Sequence, residues 1–159
     1  MTKPPKIPES VLVVIYTRHL DVLLIERADA PGFWQSVTGS KDFVGESLRQ
    51  TVEREVAEET GIVVGRPPLA ASALTDWQVS LDYEIYPQWR HRYAPEISRN
   101  TEHWFGLEVP AGTAVTLAPR EHTDFAWLPW REAAAKCFSA SNRTAILQLP
   151  QRVGNAGDV

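Results

Sequence analysis

The chain has 159 residues, 43% hydrophobic and 23% charged, with a formal net charge of −4 and a single cysteine. That length and apolar content suit one domain able to bury a real core, and the negative balance argues against general affinity for nucleic acid or an anionic membrane surface. The lone thiol, Cys137, excludes an internal disulfide, reads as a packed small hydrophobe and fits a cytoplasmic protein.

Residues 1–10 carry Lys3, Lys6 and three prolines but no apolar run, so they read as a flexible arm rather than a signal peptide. The longest apolar run, residues 11–16, falls far short of the roughly 20 needed to span a membrane. With residues 22–27 it forms two predicted strands joined by a polar turn through Arg18 to Asp21, and residues 34–38 read as a third short strand. Ser47 with Gln50 three residues on marks a capping box, Leu48, Val52 and Val56 recur every four residues, and Gly61 is a stop signal. Together they predict a helix of about three and a half turns. Further strands are expected at residues 62–64, 70–74, 79–86, 104–108 and 125–128. Helices are expected at 130–136 and 141–149, the second capped by Ser141 or Asn142. Beyond residue 150 the chain reads as a tail, leaving one α/β or α+β domain over residues 11–149.

The helix after Ser47 ends in acid. At roughly 100° per residue, Glu55 and Glu59 project within about 20° of Leu48, so the apolar stripe that must face the protein runs into two carboxylates. They point inward or into a cleft. Glu58 lies beside them, and like charges three and four residues apart repel at the negative end of the helix dipole. Arg54 can pair with Glu58, which sets one positive charge against three negative ones. A divalent cation would supply the rest, and an all-oxygen donor set that must also admit phosphate favours Mg²⁺, with Mn²⁺ as a substitute, over zinc. The plain alternative, a solvated acidic face, fits the stripe geometry less well.

A second informative segment, residues 90–104, puts three arginines, two histidines, Tyr93 and Trp104 within fifteen positions. Such a set can stack a planar ring while guanidinium groups hold phosphate oxygens, although composition alone favours an exposed basic loop between two strands. Phosphate-loop, C-x-x-C and G-x-S-x-G signatures do not occur, and the four histidines lack zinc-type spacing.

The string from Gly39 to Ile62, G-S-K-D-F-V-G-E-S-L-R-Q-T-V-E-R-E-V-A-E-E-T-G-I, resembles the Nudix box, with Glu46, Arg54, Glu55, Glu58, Glu59 and Gly61 at its fixed positions. The resemblance implies a Nudix fold over residues 11–149, a mixed β-sheet sandwiched between α-helices. It also implies metal-dependent hydrolysis of a small-molecule triphosphate, with neither nucleic acid nor membrane as partner. By the same resemblance Glu55 and Glu59 bind metal, Glu58 joins their cluster, Glu46 supports it, Arg54 orients the glutamates, and the carbonyl of Ser40 helps to hold the metal. One departure bears on Ser40: six residues separate Gly39 from Glu46 where the usual box has five. The general base often lies outside the box, and Glu121, in R-E-H-T-D-F, is the candidate for base or further ligand; its ordinary reading is a surface-loop acid.

The strings F-W-Q-S-V-T-G-S (33–40), R-H-R-Y-A-P (90–95) and R-N-T-E (99–102), with the late E-H pair (121–122), resemble the bacterial branch that converts dihydroneopterin triphosphate to the monophosphate and pyrophosphate in folate biosynthesis. That likeness implies substrate contacts from Arg90, Arg92, Tyr93 and Arg99, with Trp34 and Gln35 near the entrance. Two other readings stay open: a dATP or general nucleoside triphosphate pyrophosphohydrolase, and a Nudix-like binding module without hydrolysis. The complete acidic set speaks against the last. The sequence specifies no oligomeric state.

Overall fold

A computed structural model describes residues 4–157. Strands β1 (Glu9–Tyr16), β2 (Asp21–Arg27), β3 (Trp34–Gln35) and β4 (Val37–Ser40) precede helix α1 (Leu48–Thr60). Strands β5 (Leu74–Glu84), β6 (Arg99–Glu108) and β7 (His122–Pro129) follow, and helices α2 (Trp130–Lys136), α3 (Ala140–Leu147) and α4 (Leu149–Gly157) close the chain.

The sheet is organised by β1, which is buried at every position from Ser10 to Tyr16, as expected of a strand covered on both faces. It pairs in parallel with β6, from Glu9↔Thr101 to Tyr16↔Glu108. Its other edge is shared by β4, antiparallel at Ser10 to Val13, and β2, at Tyr16↔Val22. The result is a seven-stranded mixed sheet of order β3-β2-β1-β6-β5, with β4 also on β1 and β7 on β2. Alternation then sorts the core. Val11, Val13, Ile15, Phe105 and Leu107 meet Val52 and Val56 of α1, whereas Leu12, Val14, Leu24 and Trp104 meet Ala133, Ala134, Ile146 and Leu149 of the later helices. The α/β sandwich implied by the resemblance is therefore present. Among the described residues no helix is long and apolar enough to cross a membrane.

Several expected boundaries are corrected. Residues 62–64 form no strand; Ile62 simply plugs the core after the helix stop. Residues 71–73 form a 3-10 turn, and Leu74 opens a long β5 broken between Asp76 and Val79 by an irregularity at which Gln78 takes a φ of 57°. Strand β6 starts at Arg99 and β7 at His122, earlier than expected: the polar start of β6 alternates between a covered and an open face, and β7 is carried back to His122 by its pairing with Arg27 of β2. Ser139 caps α3, its Oγ accepting from the Asn142 amide at 3.0 Å, in place of Ser141 or Asn142. The tail expected from residue 150 is helical to Gly157, since Leu149 and Val153, four apart, both pack on the second core cluster. At the other end the arm is tied down from Lys6, whose amide donates to the Arg92 carbonyl at 2.8 Å; Lys3 and residues 158–159 lie outside the described part.

Candidate active site

Helix α1 is fixed at both ends by local chemistry. Ser47 Oγ accepts from the Gln50 amide at 3.1 Å, Gln50 Oε1 accepts from the Ser47 amide at 3.0 Å, and Gly61 closes the last turn with φ 74°. This register turns Val52 and Val56 into the core and sends Glu55 and Glu59 inward beside them, as the stripe predicts. Glu58 stays outside, 53% exposed.

Arg54 is the hub of the acidic cluster. Its Nε and Nη2 donate to the two oxygens of Glu46, both at 3.0 Å, its Nη1 donates to Glu55 at 2.7 Å and reaches Glu58 at 3.4 Å, and Nη2 also donates to the Ser40 carbonyl at 2.9 Å. Glu46, buried and further bonded by the Thr51 hydroxyl and the Asp42 amide, does not reach the cleft; it anchors Arg54. The Arg54 hydrogen bonds, reinforced by that amide, pull its pKa down to about 2. Within the lengthened loop the Asp42 carboxylate approaches Arg54 Nε at 3.3 Å, and the Ser40 carbonyl is turned toward the cluster.

Glu55 and Glu59 are the strained pair. Burial raises both pKa values, and for Glu59 the neighbouring Glu55 and Glu121 charges add to the effect. Glu59 Oε2 is buried without a partner among the described residues, while Oε1 faces His122 Nε2 at 3.4 Å. Gly39 makes room for this pair: a Cβ there would lie 2.1 Å from Glu55 Cδ. Two desolvated carboxylates, one oxygen unsatisfied, beside an inward backbone carbonyl form a hard-oxygen donor set that suits a divalent cation. Among the described residues no three acidic, His or Cys side chains are gathered as ligands, because Arg54 sits between Glu55 and Glu58.

These groups open into a cleft of about 1990 Å³. Ser40, Glu55, Glu58, Glu59 and Glu121 line it, as do Gln35, Arg92 and Tyr93; Arg90, Arg99 and Trp34 do not. Arg99 reaches the Asp82 carbonyl at 3.3 Å on the exposed side of β6, and the Trp34 ring lies under Lys136 Nζ at 4.8 Å. Of the cationic wall, the sequence pointed to Arg92 but not to Arg27 or Lys6. Asp29 grips Arg27 through two 2.7 Å bonds and Arg92 at 2.8 Å, and Lys6 stands beside them. Sequence reasoning missed the aromatic wall, where Phe33 stacks on Phe138 at 4.0 Å, Tyr86 and Trp89 pack edge-on, and Arg27 covers Trp89 at 4.6 Å. His122, of the E-H pair, is buried in the cleft wall, and burial lowers its pKa. Cys137, by contrast, is buried in the second core, its thiol pushed up to about 12 by burial.

Comparison with known proteins bears on this cleft directly. The NUDIX domain profile matches residues 6–149. The chain is 45% identical over 145 residues to dihydroneopterin triphosphate diphosphatase of Escherichia coli K12, covering 91% of this chain and 93% of the relative. To the Haemophilus influenzae protein of the same name it is 40% identical over 139 residues, covering 87% and 84%. In three dimensions it matches the E. coli dihydroneopterin triphosphate pyrophosphohydrolase with a TM-score of 0.81 over 92% of this chain and 97% of that one. A NUDIX hydrolase structure from Listeria monocytogenes, 21% identical, matches with a TM-score of 0.76 over 94% and 97% and shares the fold.

Proposed function

The chain belongs to the NUDIX family of hydrolases, and from that premise we propose that it hydrolyses 7,8-dihydroneopterin triphosphate to the monophosphate and pyrophosphate, a step of folate biosynthesis in the cytoplasm. The observation that carries this reading is the single cleft in which Glu55 and Glu59, the Lys6–Arg27–Arg92 wall and the aromatic wall meet. Each meets one need of the reaction.

The family generally uses divalent metal, and Mg²⁺ is the ion that suits this site, held by Glu55 and Glu59 with the Ser40 carbonyl and with Glu58 and Glu121 at its margin. Bound there, it would neutralise phosphate charge and lower the pKa of a water. The chain supplies the rest. Lys6, Arg27 and Arg92 would hold phosphate oxygens beside the acidic pair, Asp29 fixing the two guanidinium groups. Glu46 holds Arg54, and Arg54 holds Glu55 in place, so both act by positioning. Glu121, exposed at the cleft beside Glu59, would take the proton of the attacking water. Tyr86, Trp89 and Phe138 offer faces for a flat bicyclic ring, with Gln35 and Tyr93 at the rim.

Parallel turnover of dihydroneopterin triphosphate and dATP with Mg²⁺, scoring pyrophosphate against orthophosphate, tests the proposal. Preference for the pterin with pyrophosphate as product is expected, and Glu55→Gln should cost roughly 10²–10³-fold or more in kcat. Better turnover of dATP would move the protein to nucleotide metabolism, and no turnover of either would leave a binding module.

A further inference from the structure

One carboxylate of the cleft has no part in the phosphate chemistry. Glu102 lies on β6 in register with Ser10 of β1 and Leu81 of β5, and is only 5% exposed. Like Trp104 two residues on, it faces the side of the sheet covered by α2 and α3, whereas Glu55 and Glu59 belong to α1 on the other side. All three acids line the same cleft, at separate places.

The partners of Glu102 are neutral. Its Oε1 accepts from the Trp104 indole Nε1 at 3.1 Å and from the Ser141 hydroxyl at 2.9 Å. Its Oε2 takes part in neither bond. Nearby, Tyr83 receives a hydrogen bond from Asn100 Nδ2 at 3.2 Å, and its phenol is held protonated by burial and by the Glu102 charge. Burial raises the Glu102 pKa as well. A desolvated carboxylate with one oxygen fixed and the other uncommitted is costly to keep unless a ligand supplies donors.

The chemistry of that ligand follows. A carboxylate is matched by two adjacent N–H donors on a planar edge, the geometry of a guanidinium fork. The 2-amino-4-oxo edge of a pterin offers such a pair, from its exocyclic amine and its neighbouring ring N–H. Adenine offers one donor and, beside it, a ring-nitrogen acceptor that faces the carboxylate lone pairs unfavourably.

We propose that Glu102 determines ring specificity: its carboxylate reads the two-donor edge of the pterin, and this selects a 2-amino-4-oxo ring over adenine. The assignment rests on the cleft being the triphosphate hydrolase site. The carboxylate also ties α3 to β6 through Ser141, so the test needs a readout that a purely structural tie would not move.

That readout is the preference between substrates. Glu102→Gln keeps an oxygen for Trp104 and Ser141 and turns an amide N–H₂ toward the ring, which suits adenine's acceptor. The ratio of kcat/KM for dihydroneopterin triphosphate over that for dATP should fall at least about tenfold, the discrimination expected when a charged hydrogen-bonded pair is lost. Binding of neopterin, which has no phosphates, measured by its fluorescence in EDTA, should weaken by a similar factor. Equal loss on both substrates, or unchanged neopterin affinity, overturns the assignment. Should E102Q not fold, Glu102→Asp keeps the charge but withdraws it by one methylene, and the same two readouts decide. Wild-type protein that binds neopterin through Glu102 yet turns over no pterin triphosphate would overturn the hydrolase reading and leave the ring assignment standing; wild-type protein that binds no neopterin overturns the ring assignment.

Discussion

At the scale of single residues the site is governed by what surrounds each carboxylate. Glu46 gains stability from Arg54 only while ionised. Its folded pKa, about 2, lies below the ordinary value of 4.5, so its contribution is present above pH 4.5 and is lost as pH falls toward 2. Urea melts of wild type and Glu46→Gln should therefore differ most near neutrality and converge in acid. Gly39 is needed for a different reason. With Glu55 Cδ 2.1 Å from where a Cβ would be, Gly39→Ala must displace the carboxylate, and kcat should fall at least tenfold while the fold, read by circular dichroism, persists. The inward course of Glu55 and Glu59 was legible in the sequence because seven and eleven residues return a helix to nearly the same face. Lys6, Arg27 and Glu102 were not, because they lie far apart in the chain: strand pairing brings Arg27 and Glu102 to the cleft, and the arm's bond to the Arg92 carbonyl brings Lys6.

Secondary-structure elements explain which of the expected substrate contacts reach the cleft. Strand alternation sends Gln35 into it and Trp34 away, and on β6 it turns Asn100, Glu102 and Trp104 one way and Arg99 the other. Residues 87–92 form a 3-10 turn, in which side chains three apart align, so Trp89 and Arg92 share the cleft side and Arg90 does not. A basic cluster read as a string cannot reveal this; its local geometry can. Helix α1, in contrast, was legible from cap to stop because both signals are local. Ser47→Ala removes the hydrogen bond to Gln50 and should destabilise the protein by about 1 kcal/mol in denaturant titration. The helix beyond Leu149 was missed because its sequence is polar, and the apolar partner that stabilises it, the second core cluster, is assembled from distant strands.

For the whole molecule, the sheet acts as a partition with Glu55 and Glu59 on the α1 side and Glu102 and Trp104 on the side of α2 and α3, and one cleft reaches all four. Metal bound by Glu55 and Glu59 would relieve two buried charges at once, so saturating Mg²⁺ should raise Tm, with about 2.7 kcal/mol gained at a hundredfold excess over Kd. Glu59→Gln should abolish most of that rise in a thermal-shift assay. The parallel pairing of β1 with β6 also sets an order of events during synthesis. The most apolar strand leaves the ribosome first, but its partner along its full length lies about ninety residues downstream, at Arg99–Glu108. Until then β1 has only the short β4 contact and one bridge to β2, and its other edge is open. Nascent chains shorter than about a hundred residues thus expose a sticky edge, and ring recognition at Glu102 becomes possible only in the act that shields it.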